Sequence, residues 1–263
     1  MSQILVFDSG VGGLSVTADI RRHLPDLAID YVADDAFRPY GDKTAEQLNQ
    51  RLPGLLSVLV DMLGSDLVVL ACNTASTASL PIIRAALDVP VVGVVPAIKP
   101  AAAQSRTRHI GVLGTPGTVK RSYVDQLITD YAQGVKVSLR GSVALVDMAE
   151  KKLIGEAVDM KLLSRELAPL MAQTPAIDKI VMACTHFPLL ESEISQLVGN
   201  RVTLIDSGQA IARRVESLLS ERGLALELPM GRNLAFTTGN DISLERQAIF
   251  SAYGFTRLLS LKA

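Results

Sequence analysis

Along most of its length the chain alternates short runs of β-branched and other apolar residues with longer stretches patterned for helices. The runs fall at residues 4–7, 29–33, 67–71, 91–95, 109–113, 135–139, 179–183 and 202–205. Most are apolar at nearly every position instead of every second one, the pattern of strands covered on both faces in a parallel sheet. Helix candidates lie between them at 44–63, 76–87, 118–131, 159–172 and 209–219. This alternation predicts an α/β protein whose mostly parallel sheets are flanked by helices. Trp is absent and aromatic residues make up only 4%, so the core has to be built from Val, Leu, Ile and Ala.

A weak internal repeat refines this. Ile4-Leu5-Val6-Phe7-Asp8-Ser9-Gly10 resembles Ile110-Gly111-Val112-Leu113-Gly114-Thr115-Pro116. Val68-Val69-Leu70-Ala71-Cys72-Asn73-Thr74 resembles Ile180-Val181-Met182-Ala183-Cys184-Thr185-His186, and the run at 91–95 finds a partner at 202–205. Apolar strands resemble one another by chance, but both copies also place an Ala-Cys dipeptide at the same point. Duplication therefore predicts two pseudo-symmetric α/β domains with a site in a cleft where they face each other. The first would comprise 1–95 with 207–263, the chain returning after Asp206 to complete it; the second would comprise 96–206.

Other classes fit poorly. A net charge of −1, with no long run of Lys or Arg, gives no footprint for nucleic acid or an anionic membrane. Gly, Pro or Asp interrupts each apolar stretch before it reaches membrane-spanning length. No signal-peptide pattern precedes the first strand, so a cytoplasmic protein is expected. Two cysteines in 263 residues are too few for a disulfide scaffold, and they lack the spacing of a structural zinc site. Asp8-Ser9-Gly10-Val11-Gly12-Gly13 is glycine-rich but lacks the Lys-Ser/Thr ending of a phosphate loop. No Rossmann fingerprint or pyridoxal-phosphate lysine context is visible, and no cofactor or metal is expected.

Parallel sheets bind ligands beyond the carboxyl ends of their strands. Asp8-Ser9-Gly10, Cys72-Asn73-Thr74, Thr115 with Thr118, and Cys184-Thr185-His186 all fall there, each expected to open a helix whose free N–H groups favour anions and thiolates. Plain N-capping explains any one of these Ser or Thr residues about as well. A buried structural role is the ordinary expectation for an apolar-flanked cysteine. Both cysteines, however, end a strand and precede hydrogen-bonding residues. A thiol of pKa about 8.5 is only a few per cent ionised at neutral pH, so a base at either position needs help. Asp8 can supply it beside Cys72, and His186 beside Cys184. Two thiols in equivalent halves suit inversion of a stereocentre, in which one face of a carbon loses a proton and the other gains one. His23 and His109 are expected to have no role.

These motifs give the resemblance. Phe7-Asp8-Ser9-Gly10-Val11-Gly12-Gly13-Leu14, Pro39-Tyr40-Gly41-Asp42-Lys43, Ala71-Cys72-Asn73-Thr74-Ala75-Ser76, Gly114-Thr115 with Thr118, Cys184-Thr185-His186-Phe187-Pro188-Leu189-Leu190 and Asp206-Ser207-Gly208 follow in the order seen in glutamate racemases. The chain resembles that family, within the aspartate/glutamate racemase superfamily, from Ile4 to about Val215. The resemblance implies cofactor-independent interconversion of L- and D-glutamate, supplying D-glutamate for peptidoglycan. It implies Cys72 and Cys184 as the two bases, assisted by Asp8 and His186, with Glu150 as a further catalytic residue. Substrate contacts would come from Asp8, Ser9, Tyr40, Gly41, Asn73, Thr74, Thr118, Thr185 and His186. It also implies a homodimer with glutamate as its small-molecule partner. Two departures stand out: Asp147-Met148-Ala149 precedes Glu150 where the family has Pro-Leu and a hydrophobic residue, and the family's Ala-Arg reads Ala36-Phe37-Arg38. An aspartate or hydantoin racemase, which would keep both cysteines, and a regulatory protein with degenerate catalysis are the competing readings.

Overall fold

The computed structural model describes residues 3–224 and 232–261. In chain order it runs β1 (Gln3–Asp8), α1 (Leu14–His23), β2 (Ala28–Ala33), α2 (Ala45–Leu63), β3 (Leu67–Leu70), α3 (Asn73–Ala86) and β4 (Val91–Gly93). There follow α4 (Ile98–Gln104), β5 (His109–Gly114), α5 (Pro116–Val119), α6 (Ser122–Tyr131), β6 (Lys136–Gly141), α7 (Ala144–Leu153) and α8 (Met160–Met171). The chain closes with β7 (Lys179–Ala183), α9 (Glu191–Val198), β8 (Thr203–Ile205), α10 (Gly208–Glu221), β9 (Leu234–Thr237), α11 (Leu244–Ala252) and β10 (Arg257–Ser260). No helix among the described residues is long and apolar enough to cross a membrane.

The fold separates into two compact units, Met1–Val94 with Gly208–Ala263, and Val95–Ser207. The first holds a sheet ordered β10-β9-β2-β1-β3-β4, the second a sheet ordered β6-β5-β7-β8, and every strand pair in both is parallel. The predicted α/β architecture is the observed one. The repeat appears in the topology: β2-β1-β3-β4 and β6-β5-β7-β8 have the same order, with β1 matching β5 and β3 matching β7.

Local chemistry explains the elements. In α2, Thr44 accepts from the Gln47 N–H while the Gln47 side chain accepts from the Thr44 N–H, a capping box. Gly64, at φ 61°, ends the helix in the left-handed conformation that glycine adopts without a Cβ penalty. Leu48, Leu52, Leu56, Leu59 and Leu63 fall on one face and are buried against β3 and α3, each worth about 1.5–3 kcal/mol. In the second unit, α8 presents Leu163, Leu167 and Leu170 to the core in the same way. Asp178, just before β7, accepts from the hydroxyls of Ser105 and Thr107 and from the backbone N–H groups of Arg106 and Thr107. It thereby ties the entry to β5 to the start of β7.

The structure departs from the sequence reading in several places. The helix expected over 118–131 is two helices: Thr115 caps α5 with Pro116 in its first turn, and α6 starts afresh after Arg121. The helix expected from 76 begins at Asn73, directly after Cys72. The run at 135–139 becomes β6, an edge strand whose half-exposed Lys136-to-Gly141 pattern carries charges that discourage edge-to-edge pairing. Strands β9 and β10, joined by α11, extend the first sheet beyond β2, where the sequence pattern predicts no strand.

Burial pushes the Asp178 carboxyl up, but its four hydrogen bonds bring it below the usual range. A depressed carboxyl stabilises the fold above its unfolded pKa of about 3.9, and this contribution is lost as pH falls through the folded value. Asp178→Asn should therefore lower the unfolding free energy by about 1–3 kcal/mol at neutral pH. In urea titrations the deficit should shrink as the pH is taken below that of the unfolded carboxyl.

Candidate active site

In the first unit the site residues gather at the carboxyl ends of β1, β2 and β3. Asp8 is fully buried, and its Oδ2 accepts from the Gly13 N–H at 2.8 Å, the N-cap of α1, where the helix dipole favours a negative charge. The Tyr31 hydroxyl lies 3.5 Å from the same oxygen and donates to the Gly10 carbonyl at 2.8 Å. Ser9 stands between the carboxylate and the thiol: its Oγ is 3.4 Å from Asp8 Oδ1 and 3.7 Å from Cys72 Sγ. Cys72 is itself the extended N-cap of α3, its carbonyl accepting from the Ser76 N–H. Its sulfur therefore sits at a helix N-terminus, a setting that favours thiolate. Ser76 donates to the Leu70 carbonyl and accepts from the Val94 N–H, fixing that turn from beneath.

The remaining residues assigned to this half are close to the same strand ends. Asn73 and Thr74 are buried in the first turn of α3, with Asn73 Nδ2 donating to the Val94 carbonyl. Tyr40 is buried, and its hydroxyl donates to Asp34 Oδ2 at 2.6 Å. Burial, followed by the Asp34 charge, pushes the Tyr40 phenol far above its ordinary value, so it remains a donor at any working pH. The Tyr40 hydroxyl is thereby taken up within the unit itself. Arg38 is half exposed and pairs with Asp35 at 3.7 Å.

Sequence reasoning did not single out Asp34. Burial pushes its carboxyl up, but hydrogen bonds from Arg51, Tyr40 and Thr238 hold it below the usual range. Its position immediately after β2, at the same sheet edge as Asp8 and Cys72, was the available signal.

The second unit surrounds its thiol differently. The Phe187 N–H donates to the Cys184 carbonyl, closing a tight turn before the 3-10 segment Phe187–Leu190, and α9 begins only at Glu191. The expectation that Cys184 opens an α-helix directly is thus corrected: the Pro188-containing turn intervenes. That turn folds His186 back, placing Nδ1 3.8 Å from Cys184 Sγ. On its other side His186 Nε2 lies 3.3 Å from Glu150 Oε1. Glu150 is carried by α7, which buries Leu145, Met148 and Ala149. Lys152 clamps that helix to the turn by donating to the Leu189 carbonyl and to Glu193. A thiol, an imidazole and a carboxylate in line form the arrangement in which a base is oriented by a third group.

Thr185 is buried beside this line. Thr118 is buried at α5, its hydroxyl 3.0 Å from that of Thr115. The other histidines sit elsewhere. His23 pairs with Glu216 at 2.7 Å on the surface. His109 is buried between the Pro175 carbonyl and the Ser138 hydroxyl. The carbonyl can only accept, so Nδ1 of His109 donates to it.

Two repeated parallel α/β units, each with a thiol and polar side chains just past a strand end, fit the class of amino-acid racemases, to which the relatives assign the chain. A model of the Asp/Glu/Hydantoin racemase family matches residues 4–215, and the chain belongs to that family. It is 50% identical over 218 residues to a glutamate racemase from Shewanella woodyi, covering 83% of this chain and 81% of that one. It is 51% identical over 217 residues to a glutamate racemase from Vibrio cholerae, covering 82% and 80%. The crystal structure of Escherichia coli glutamate racemase in complex with L-glutamate and the activator UDP-MurNAc-ala superposes with a TM-score of 0.91 at 42% identity, over 99% of this chain and 98% of that one.

The close approach at Gly13 gives a test of how tightly Asp8 is held. A Cβ there would stand 2.8 Å from the buried Tyr31 hydroxyl and 3.0 Å from Asp8 Cβ. Gly13→Ala should destabilise the protein by about 1–3 kcal/mol through overpacking. It should also lower racemase activity in steady-state assays, because relief of the clash displaces Asp8.

Proposed function

We propose that this chain interconverts L- and D-glutamate with two thiols as its acid and base and without a cofactor. One observation supports the reading above others: the line from Cys184 Sγ through His186 to Glu150, at 3.8 and 3.3 Å. It supplies a proton acceptor for the thiol and a carboxylate to stabilise the imidazolium that results. Ser9 and Asp8 serve Cys72 in a corresponding but chemically different way.

The step balances without redox chemistry. One thiolate takes the α-proton, an S–H bond forming as the C–H bond breaks, and the electron pair stays on the substrate carbon. The opposite thiol then gives its proton to the other face of that carbon, and its S–H bond breaks. Each turnover leaves the two thiols with exchanged protonation states. By this reading Cys72 acts on D-glutamate and Cys184 on L-glutamate, and both must reach opposite faces of one α-carbon. Ser9, Asn73, Thr74, Thr118, Thr185 and the backbone at Tyr40 and Gly41 would hold the substrate's carboxylates and amine. Glutamate is favoured as substrate by the names of relatives that share half their residues with this chain. The same reading places the enzyme in the cytoplasm as a homodimer supplying D-glutamate for peptidoglycan.

Incubation with each enantiomer in deuterated water, followed by NMR of the α-carbon, tests the scheme. Cys72→Ser and Cys184→Ser should each lower racemisation by about 10²–10⁴-fold. Cys184→Ser should retain α-exchange with D-glutamate only, and Cys72→Ser with L-glutamate only. Full racemisation surviving in either variant would defeat the two-base scheme, and turnover of aspartate but not glutamate would defeat the substrate assignment. Glu150→Gln should lower kcat from L-glutamate by about 10²-fold.

A further inference from the structure

Beyond β2 the chain runs through a segment, 35–43, that carries Tyr40 and Gly41 and has little regular structure: two short 3-10 turns, Asp35–Phe37 and Tyr40–Asp42. Such a segment cannot hold itself in place by backbone hydrogen bonding alone. Its position is set by one fully buried carboxylate. Asp34 Oδ2 accepts from the Tyr40 hydroxyl at 2.6 Å and from Arg51 Nε at 2.7 Å. Asp34 Oδ1 accepts from Arg51 Nη2 at 2.6 Å and from the Thr238 hydroxyl at 2.7 Å. Three separate parts of the unit thus converge on one side chain: the segment itself, α2 and the end of β9.

Further contacts reinforce the arrangement. Thr238 Oγ1 accepts from the Ala36 N–H at 3.1 Å, and Asp35 accepts from Thr237 and from Arg246 of α11. The Arg51 guanidinium also lies 5.0 Å from the centre of the Phe37 ring, with the Lys43 ammonium 4.8 Å from the same ring. A buried ion pair is a weak source of stability compared with apolar packing of the same volume. What it supplies is geometry, since a bidentate fork fixes both the direction and the distance of its partner.

We propose that Asp34 and Arg51 are positioning residues for substrate binding, acting through Tyr40 to set the place of the Tyr40–Gly41 backbone. The proposal rests on the glutamate racemase reading and deepens it. Neither residue takes or gives the α-proton, so their loss should weaken binding in ground and transition states alike. That pattern raises KM and leaves kcat nearly unchanged.

The test is steady-state racemisation of glutamate with thermal unfolding measured in parallel. Arg51→Gln should raise KM by about tenfold or more, with kcat changed by less than about threefold. Arg51→Lys keeps the charge but loses the fork, and should retain most of the KM defect. Tyr40→Phe removes one hydroxyl and leaves the ion pair, and should raise KM by about threefold, less than additively with Arg51→Gln because both act on the same carboxylate. A lowered Tm with unchanged KM in these variants would make the pair purely structural and overturn the proposal. So would a fall in kcat at constant KM. If Arg51→Gln does not fold, an unchanged KM in Tyr40→Phe overturns it by itself. Turnover of glutamate by the unmodified protein with no KM change in the variants removes this proposal alone, whereas no turnover by the unmodified protein removes the substrate reading with it.

Discussion

In a parallel sheet every strand delivers its last residue to the same edge, because each connection has to cross back before the next strand begins. The arrangement of this molecule follows from that constraint, applied twice. Asp8, Asp34 and Cys72 share an edge because they end or follow within two residues of β1, β2 and β3, and Cys184 follows β7 for the same reason. Strand interiors covered on both faces are mostly apolar, Asp30 in β2 being an exception, so most of the polar side chains discussed above lie where the strands stop. The turns after the strands then decide what each polar group can do.

Buried carboxylates show how differently one residue type can be used. Asp8 accepts from an N-cap N–H and from a neighbouring hydroxyl. Asp34 is held by a guanidinium fork and two hydroxyls, Asp178 by backbone and hydroxyl donors. At Asp30, burial outweighs the Arg232 and Leu234 hydrogen bonds, and the carboxyl is raised instead of lowered. Sequence alone marks all four as aspartates near strands. Whether burial or hydrogen bonding wins at Asp30, Asp34 and Asp178 depends on donors drawn from elsewhere in the chain, Thr238 and Arg232 among them.

What the sequence reveals divides along the same line. Strands β1, β3, β5 and β7 were legible because their burial on both faces writes a continuous apolar run into the residues. The two Ala-Cys strand ends were legible because the repeat aligned them. The break between α5 and α6 was not, since it falls at Lys120 and Arg121, with no Gly or Pro at the break to mark it. β9 and β10 are four residues each and extend the sheet beyond β2, where short runs such as Leu234-Ala235-Phe236-Thr237 carry little pattern. At the candidate site, the pairing of Glu150 with His186 joins α7 to a turn after β7; the resemblance pointed to Glu150 as a residue, and nothing in the sequence pointed to the pairing. The Asp34–Arg51 contact joins a strand end to the middle of α2, and no local motif announces it.

The two thiols have unlike surroundings, a hydroxyl and carboxylate beside one and an imidazole with its carboxylate beside the other. Mirror-image substrates have the same free energy in water at every pH, so their equilibrium constant is unity. For the proposed reaction, kcat/KM must then be equal in the two directions, however unlike the two thiols are. A preference for one enantiomer cannot appear in that ratio. The asymmetry can only be divided between its two factors: the enantiomer held more tightly at saturation is, in the same proportion, the one turned over more slowly.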